Sequence, residues 1–400
     1  MKEQQKGLVL LIKSALMGKK EKLPENLDYL EMVSVAQKHN IIPLVYYGGY
    51  NCGIVEKQEQ LKQLFPSVCK KILYSEKQAF VLKEIEKAFE QAGVDYQSLK
   101  GARLREYYSR PEFRWMSDID ILIKVEQYPI IKKIMLDLGF NELVESDHEL
   151  IWGDANIKIE LHKRLIPSYN TDYYAYFGDG WKFAKPVPNK KHAYEMKKED
   201  ELIYLFTHFC KHYRDSGVGI KHILDIWVYT NAHPDIDYEY VKEQLKILRI
   251  YEFYKNVKDT LSVWFEGAEP TEKTDFITDA IINYGVIDAN QAKVLSATLK
   301  KVNQGKSVAR IKWETVFTSL FVPYRTMCNI YPWLKKVCVL LPFMWVYHLF
   351  RRLFTKGKIK EYNSRFSEIK GDKIDAYRES LNYVGLDYNF GENKEENKND

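Results

Sequence analysis

The sequence predicts an α+β protein: a small core of mixed sheet and helices, flanked by helical N- and C-terminal regions. Three observations predict it. Apolar residues recur at helical spacing as far as Phe89 and give way at Gly93. Between Val94 and His162 several short stretches alternate polar and apolar residues with period two. From Lys198 the helical spacing returns and persists to about Tyr383. These changes of period divide the chain into a helical region 1–92, a core 93–190 and a helical domain 191–388. The last residues, 389–400, are polar, offer no apolar anchor and are expected to be disordered.

In the first region Leu8, Leu11, Ile12 and Leu16 form one apolar stripe, and Leu30, Met32, Val33 and Ala36 a second. A third stripe, Ile72, Leu73, Phe80, Ile85 and Phe89, ends where Gly93 supplies a helix stop. The core opens with an extended stretch, 94–99, that turns at Lys100-Gly101 into a short helical run, 102–108. Residues 117–125, SDIDILIKV, alternate almost strictly, with Leu122 the exception. A helix over 127–138 closes at Gly139, and 140–145, 149–153 and 156–162 read as further strands. Beyond Lys198, Leu202, Leu205, Phe206 and Phe209 make one stripe, and Ile223, Ile226 and Trp227 another. Further helical runs cover 238–248, 251–264 and 274–284.

Composition narrows the class. Hydrophobic residues make up 46% and charged residues 29%, the balance of a globular chain. With 60 basic and 55 acidic residues the net charge is only +5, which argues against a dedicated binder of long nucleic acid. Cys52, Cys69, Cys210, Cys328 and Cys338 are widely spaced and form no CxxC pair, so zinc ribbons and redox motifs are unsupported. The apolar run near the start is broken by Lys13 and is too short and polar for a secretion signal. A cytoplasmic protein with reduced thiols is expected.

The chemistry concentrates in the core. Side chains i and i+2 of a strand share a face, so Asp118 and Asp120 project together while Ile119, Ile121 and Ile123 point away. Two carboxylates held that close repel unless a cation lies between them, and hard ions such as Mg²⁺ favour such oxygens and share them with phosphates. On the strand 156–162, Ile157, Ile159 and Leu161 face one way and Lys158, Glu160 and His162 the other. If this strand pairs with the first, Glu160 joins the two aspartates and makes a site able to hold two metals. Upstream, Gly101 lets backbone amides approach a phosphate, and Lys100 adds a point charge. Arg114 is a second candidate for the same phosphates.

The order of these pieces, LKGARLREYY, RWMSDIDILI and IKIELHKRL, resembles the uncharacterised nucleotidyltransferase family of the DNA polymerase β-like nucleotidyltransferase superfamily. The resemblance implies that Asp118, Asp120 and Glu160 are the metal-binding and catalytic triad. It further implies that Lys100-Gly101 is the phosphate-side turn and that His162, in the "ELH" run, belongs to the site. The turn reads Gly101-Ala102 where the superfamily usually has Gly-Ser or Gly-Gly, so a serine contact to phosphate is absent. The implied reaction is Mg²⁺-dependent transfer of a nucleoside monophosphate from an NTP, with ATP the expected donor, to an acceptor hydroxyl. Pyrophosphate is released. A small molecule or a protein side chain is the expected acceptor. The alternative is a catalytically silent nucleotide-binding regulatory module on the same fold.

Other residues carry weaker signals. His208 and His212 lie four apart, at zinc-ligand spacing, but no third ligand is evident nearby, so packing of helix-face histidines is expected. Asp225 is expected to be partly buried and to pair with these histidines or with Lys221. The clusters Arg103/Arg105 and Lys163/Arg164 are expected to be solvated. The run 337–350, VCVLLPFMWVYHLF, is shorter than the ~20 residues a membrane span needs and contains Pro342. It is expected to form buried helices, with membrane-surface contact the less favoured alternative.

Overall fold

A computed structural model describes residues 1–215, 217–284, 289–355 and 366–386 of the chain. The expected disordered tail, 389–400, lies outside the described residues. Contacts group the chain into two compact units, Met1–His212 with Val218–Ile287, and Tyr213–Gly217 with Asp288–Asp400.

The first unit begins with helices Glu3–Met17, Tyr29–Lys38 and Ile42–Asn51. Glu3–Met17 and Ile42–Asn51 approach so closely that a Cβ on Gly48 would lie 2.0 Å from the Leu11 carbonyl oxygen. Only glycine fits there. Helix Phe65–Ala92 ends at Gly93, which takes the left-handed conformation that closes helices. Its buried face differs from the apolar stripe expected: Ile85 and Phe89 are buried, but Leu73 and Phe80 are exposed, as is Leu30 in the earlier helix. Ser75 and Gln78 are buried instead because their polar groups have partners. Gln78 Nε2 donates to the Met116 carbonyl at 3.3 Å, and the Ser75 carbonyl accepts from Arg105 Nη1 at 2.9 Å. Arg105 is therefore buried rather than solvated.

Five strands follow: β1 Tyr96–Ser98, β2 Ile119–Ile123, β3 Asn141–Glu145, β4 Glu149–Gly153 and β5 Lys158–His162. They form one mixed sheet in the order β1-β2-β5-β4-β3, in which only β2 and β5 pair in parallel. The α+β class and the mixed sheet agree with the sequence reading. One face of the sheet carries Ile119, Ile121, Ile123, Leu150, Trp152, Ile157, Ile159 and Leu161, which pack with Ile85, Phe89, Ile131 and Met135 into a core. Period-two alternation then sends Asp120, Glu160 and His162 to the opposite face. Residues 184–186 and 194–196 add a short two-stranded ribbon.

Helices Lys198–Asp215 and Ile220–Ala232 follow the ribbon. Buried polar contacts join them to the core. Arg103 Nε donates to Glu201 at 3.2 Å, and Arg114 Nε and the Tyr108 hydroxyl both donate to Asp225 Oδ1, at 2.6 and 2.7 Å. Asp225 thus pairs with Arg114 and Tyr108 rather than with the neighbouring histidines or Lys221.

In the second unit, helices Ala289–Asn303, Val308–Leu320, Tyr324–Ile330, Leu341–Phe354 and Gly371–Tyr383 are described. One small cluster gathers Val322, Met327, Cys328, Tyr331, Leu334 and Met344. The expected burial of 337–350 is not found: Val339 is 77% and Phe343 73% exposed, and Val346, Tyr347 and Phe350 are exposed too. A helix apolar on most of its circumference cannot cover itself against so small a cluster. Among the described residues no helix is long and apolar enough to cross a membrane.

Candidate active site

The parallel register of β2 and β5 sets Asp120 opposite Glu160 and Leu122 opposite His162. Asp120 and Glu160 therefore stand side by side on the sheet face away from the core, one strand spacing apart. Asp118 lies in the bend just before β2, and Lys158 begins β5. Lys158 links the acids: its ammonium bonds Glu160 and lies 3.7 Å from Asp118 Oδ2. All three carboxylates line one cavity of about 350 Å³, together with Lys100, Gly101, Arg114 and His162.

Asp120 is the electrostatic centre. Lys100 Nζ and His162 Nε2 each lie 2.7 Å from its Oδ1. Burial alone would raise its proton affinity, but the Lys100 charge and the His162 hydrogen bond outweigh it and hold the carboxyl well below its usual range. Lys100 shows the reciprocal effect: burial disfavours its charge, yet Asp120 keeps it protonated. Glu160 goes the other way. Burial pushes it up to about 7, and the charges of Asp118 and Asp120 add to the rise. His162 is held neutral by burial and by Lys100, and its Nδ1 is buried without a partner among the described residues.

The turn before the site is built differently from expectation. Lys100, not Gly101, takes the positive φ, at 46°, a strained conformation for a side chain of this kind. Gly101 is required for space: a Cβ there would meet Met116 Cγ at 2.7 Å. The helix that follows is only Gly101–Leu104, and the amides of Ala102, Arg103 and Leu104 donate to the carbonyls of Leu99 and Lys100. That leaves little helix N-terminus to offer a phosphate. Arg114 reaches the cavity, but its Nε is engaged by Asp225 and its Nη1 by the Trp115 carbonyl at 2.7 Å.

Further residues line the cavity, of which His148, Glu149, Lys211 and His222 carry no expectation from the sequence. Glu149 on β4 pairs in register with His162, and His148 Nε2 lies 3.0 Å from its Oε2. Period two over 149–153, with Leu150 and Trp152 in the core, places Glu149 on the acid face, so alternation alone could have found it. Lys158 was assigned to that face without a role. His208, Lys211, His212, Lys221 and His222 also line the cavity, and no local pattern links the two helices that carry them. Burial holds His208 and His222 neutral.

The donor set suits a divalent cation. Ligand atoms of Asp120, Glu160 and His162 lie within 4.8 Å of one another, and burial together with the charges of Asp118 and Asp120 makes Glu160 resist ionisation. Carboxylate oxygens are the ligands that Mg²⁺ and Mn²⁺ prefer.

Comparison with curated proteins and with solved structures finds no match. Residues 25–266 match the family described as uncharacterised nucleotidyltransferase, a span that includes the sheet, the cavity and both helices that line it. On this match over more than half its length, the chain belongs to the uncharacterised nucleotidyltransferase family.

Proposed function

We propose that the protein transfers a nucleoside monophosphate from an NTP, ATP being the expected donor, to an acceptor hydroxyl in a Mg²⁺-dependent reaction. The acceptor oxygen attacks the α-phosphorus, the bond to the β-phosphate breaks, and pyrophosphate leaves. The observation that carries this reading is the parallel pairing of Asp120 with Glu160, which supports a compact acid cluster with Asp118 at the cavity edge. The ion, held through oxygens of Asp118, Asp120 and Glu160, supplies charge stabilisation to the phosphates when bound. Glu160 completes the acid set beside Asp120 and would help activate the attacking hydroxyl. Lys100 keeps Asp120 ionised and offers a point charge to phosphate. His162 orients Asp120 through its Nε2. The residues 93–190 form the catalytic core in this reading, with a small-molecule or protein hydroxyl as acceptor and the cytoplasm as location.

One observation favours a second reading, a nucleotide-binding module without turnover. The Lys100 ammonium and His162 already satisfy Asp120 Oδ1, and the Gly101-Ala102 turn offers no hydroxyl to phosphate. The separating experiment incubates the purified chain with Mg²⁺ and each α-labelled NTP, following label transfer and pyrophosphate release. Transfer that vanishes in Asp118→Asn plus Asp120→Asn supports the enzyme. Metal-dependent NTP binding with no transfer to any of a broad set of acceptors would replace it with the silent module.

A further inference from the structure

Helices Lys198–Asp215 and Ile220–Ala232 bring three imidazoles together on the cavity wall. His208 and His212 stand one helical turn apart on the first helix, and His222 comes from the first turn of the second. One nitrogen from each lies within 4.8 Å of the other two, and the Nε2 atoms of His208 and His212 are 3.1 Å apart. The three ring centroids are separated by 4.4, 5.0 and 5.8 Å. A hydrogen bond joins His208 and His212, and the Gly219 backbone holds His222 through Nδ1, so that all three rings converge.

We propose that His208, His212 and His222 bind one transition-metal ion of the zinc class, at a site separate from the carboxylates. An all-imidazole donor set selects Zn²⁺, Co²⁺ or Ni²⁺ over Mg²⁺, which prefers oxygen. Nitrogens bound at ~2.0–2.1 Å to a tetrahedral ion stand roughly 3.3 Å from one another, close to the separation of the first pair. His222 Nδ1 lies 3.1 Å from the Gly219 carbonyl oxygen. The Gly219 amide lies 3.2 Å from the same Nδ1, so the backbone of Gly219 occupies that nitrogen and leaves Nε2 as the candidate ligand. Three protein ligands leave a coordination position open, as at catalytic rather than structural zinc sites. Lys211 and Lys221 line the same cavity, so an oxyanion, a hydroxide or a phosphate oxygen, suits the open position. The proposal does not depend on the transferase reading, because the carboxylates take no part in it.

The test uses the full chain, stripped by chelation and titrated with Co²⁺ and then Zn²⁺. One equivalent of Co²⁺ with the visible absorption of a four- or five-coordinate nitrogen-ligated ion is expected, displaced by Zn²⁺. The same signal persists in Asp118→Asn plus Asp120→Asn. It weakens about 100-fold or more in His222→Gln and in His212→Gln, at or beyond the top of the range for disturbed zinc sites. Glutamine retains most of the side-chain volume, and thermal melting of the stripped proteins checks that each variant is folded. A second substitution, His222→Asp, restores a ligand and recovers part of the affinity. The proposal is overturned if the stripped protein takes up neither ion at micromolar concentration. It is equally overturned if the bound ion is lost in the carboxylate variant yet unaffected by both glutamine variants.

Discussion

The carboxylates and the histidines that line the cavity of the first unit reach it by different routes. Asp120 and Glu160 stand on paired strands whose apolar alternate residues pack into the core, so the same alternation that buries Ile119 and Ile159 turns the acids outward. Their spacing is a property of the sheet. His208, His212 and His222 depend on how two helices meet, and that meeting is held by buried polar contacts such as Arg114–Asp225 and Arg103–Glu201. The first arrangement is robust to small changes in packing. The second is only as well defined as the contacts that hold the helices.

The largest effect expected sets the two groups against each other. In the proposed reaction Asp118→Asn plus Asp120→Asn should lower nucleotide transfer by ~10³-fold or more, the loss expected if these oxygens hold an ion that stabilises the phosphates. His222→Gln, assayed beside it with Mg²⁺, should cost far less, about 10-fold at most. Equal losses in the two variants would mean that acids and imidazoles act as one centre, and the comparison would fail.

A second experiment probes the link between them. Arg114 lies four residues before Asp118, and Asp225 follows His222 on the same helix, so their ion pair ties one group to the other. Both side chains are buried, and removing one leaves the other charge without its partner. Asp225→Asn should therefore destabilise the protein by ~3–5 kcal/mol, read from the urea midpoint at constant m-value. A shift under about 1 kcal/mol would show that other contacts hold the helix in place.

Acid titration sharpens the electrostatic contrast within the carboxylates. Glu160 retains its proton up to about pH 7 in the folded protein, against ~4.3 in an unfolded chain. Between those values the native state binds the extra proton, so stability of the metal-free protein falls as pH rises across that window. Glu160→Gln should remove a slope worth roughly 3–4 kcal/mol in total. Asp120 behaves oppositely and in a lower window. Its folded value is depressed, so the stability it contributes is present above ~4 and is lost as pH falls further. Indistinguishable pH profiles for wild type and Glu160→Gln between pH 5 and 7 would refute the assigned environment.

The smallest effect concerns the turn. Gly101→Ala places a Cβ 2.7 Å from Met116 Cγ, and methionine is flexible enough to move aside. A loss of about 1 kcal/mol is expected, with nucleotide binding retained because Gly101 does not carry the positive φ. Lys100 does, so Lys100→Gly should relieve backbone strain while removing the cation from Asp120. Thermal melting of both variants checks the pair.

Much of this was legible because it is local. Period two over 117–125 marks the strand and the facing of Asp120, and period two over 156–162 that of Glu160 and His162, since alternation needs no knowledge of distant residues. Glu149 obeyed the same rule and was overlooked. The stripe Leu73–Phe80 misled, because helical period marks an apolar face without saying whether a partner covers it; there Ser75 and Gln78 took the buried positions through hydrogen bonds to Arg105 and Met116. The run at 337–350 misled for the same reason, leaving Val339 and Phe343 exposed.

The sequence by itself determined the class of fold and the face on which Asp120 and Glu160 lie, because these follow from side-chain period along one segment, whereas Asp118, expected on the strand with Asp120, lies in the bend before β2. Only the tertiary structure decided that β2 and β5 pair in parallel with Asp120 opposite Glu160. It also decided that Arg114 is engaged by Asp225 and that His222 joins His208 and His212. Those outcomes depend on which segments meet, and pairing between residues far apart in the chain is set by the packing of the whole core rather than by any local pattern.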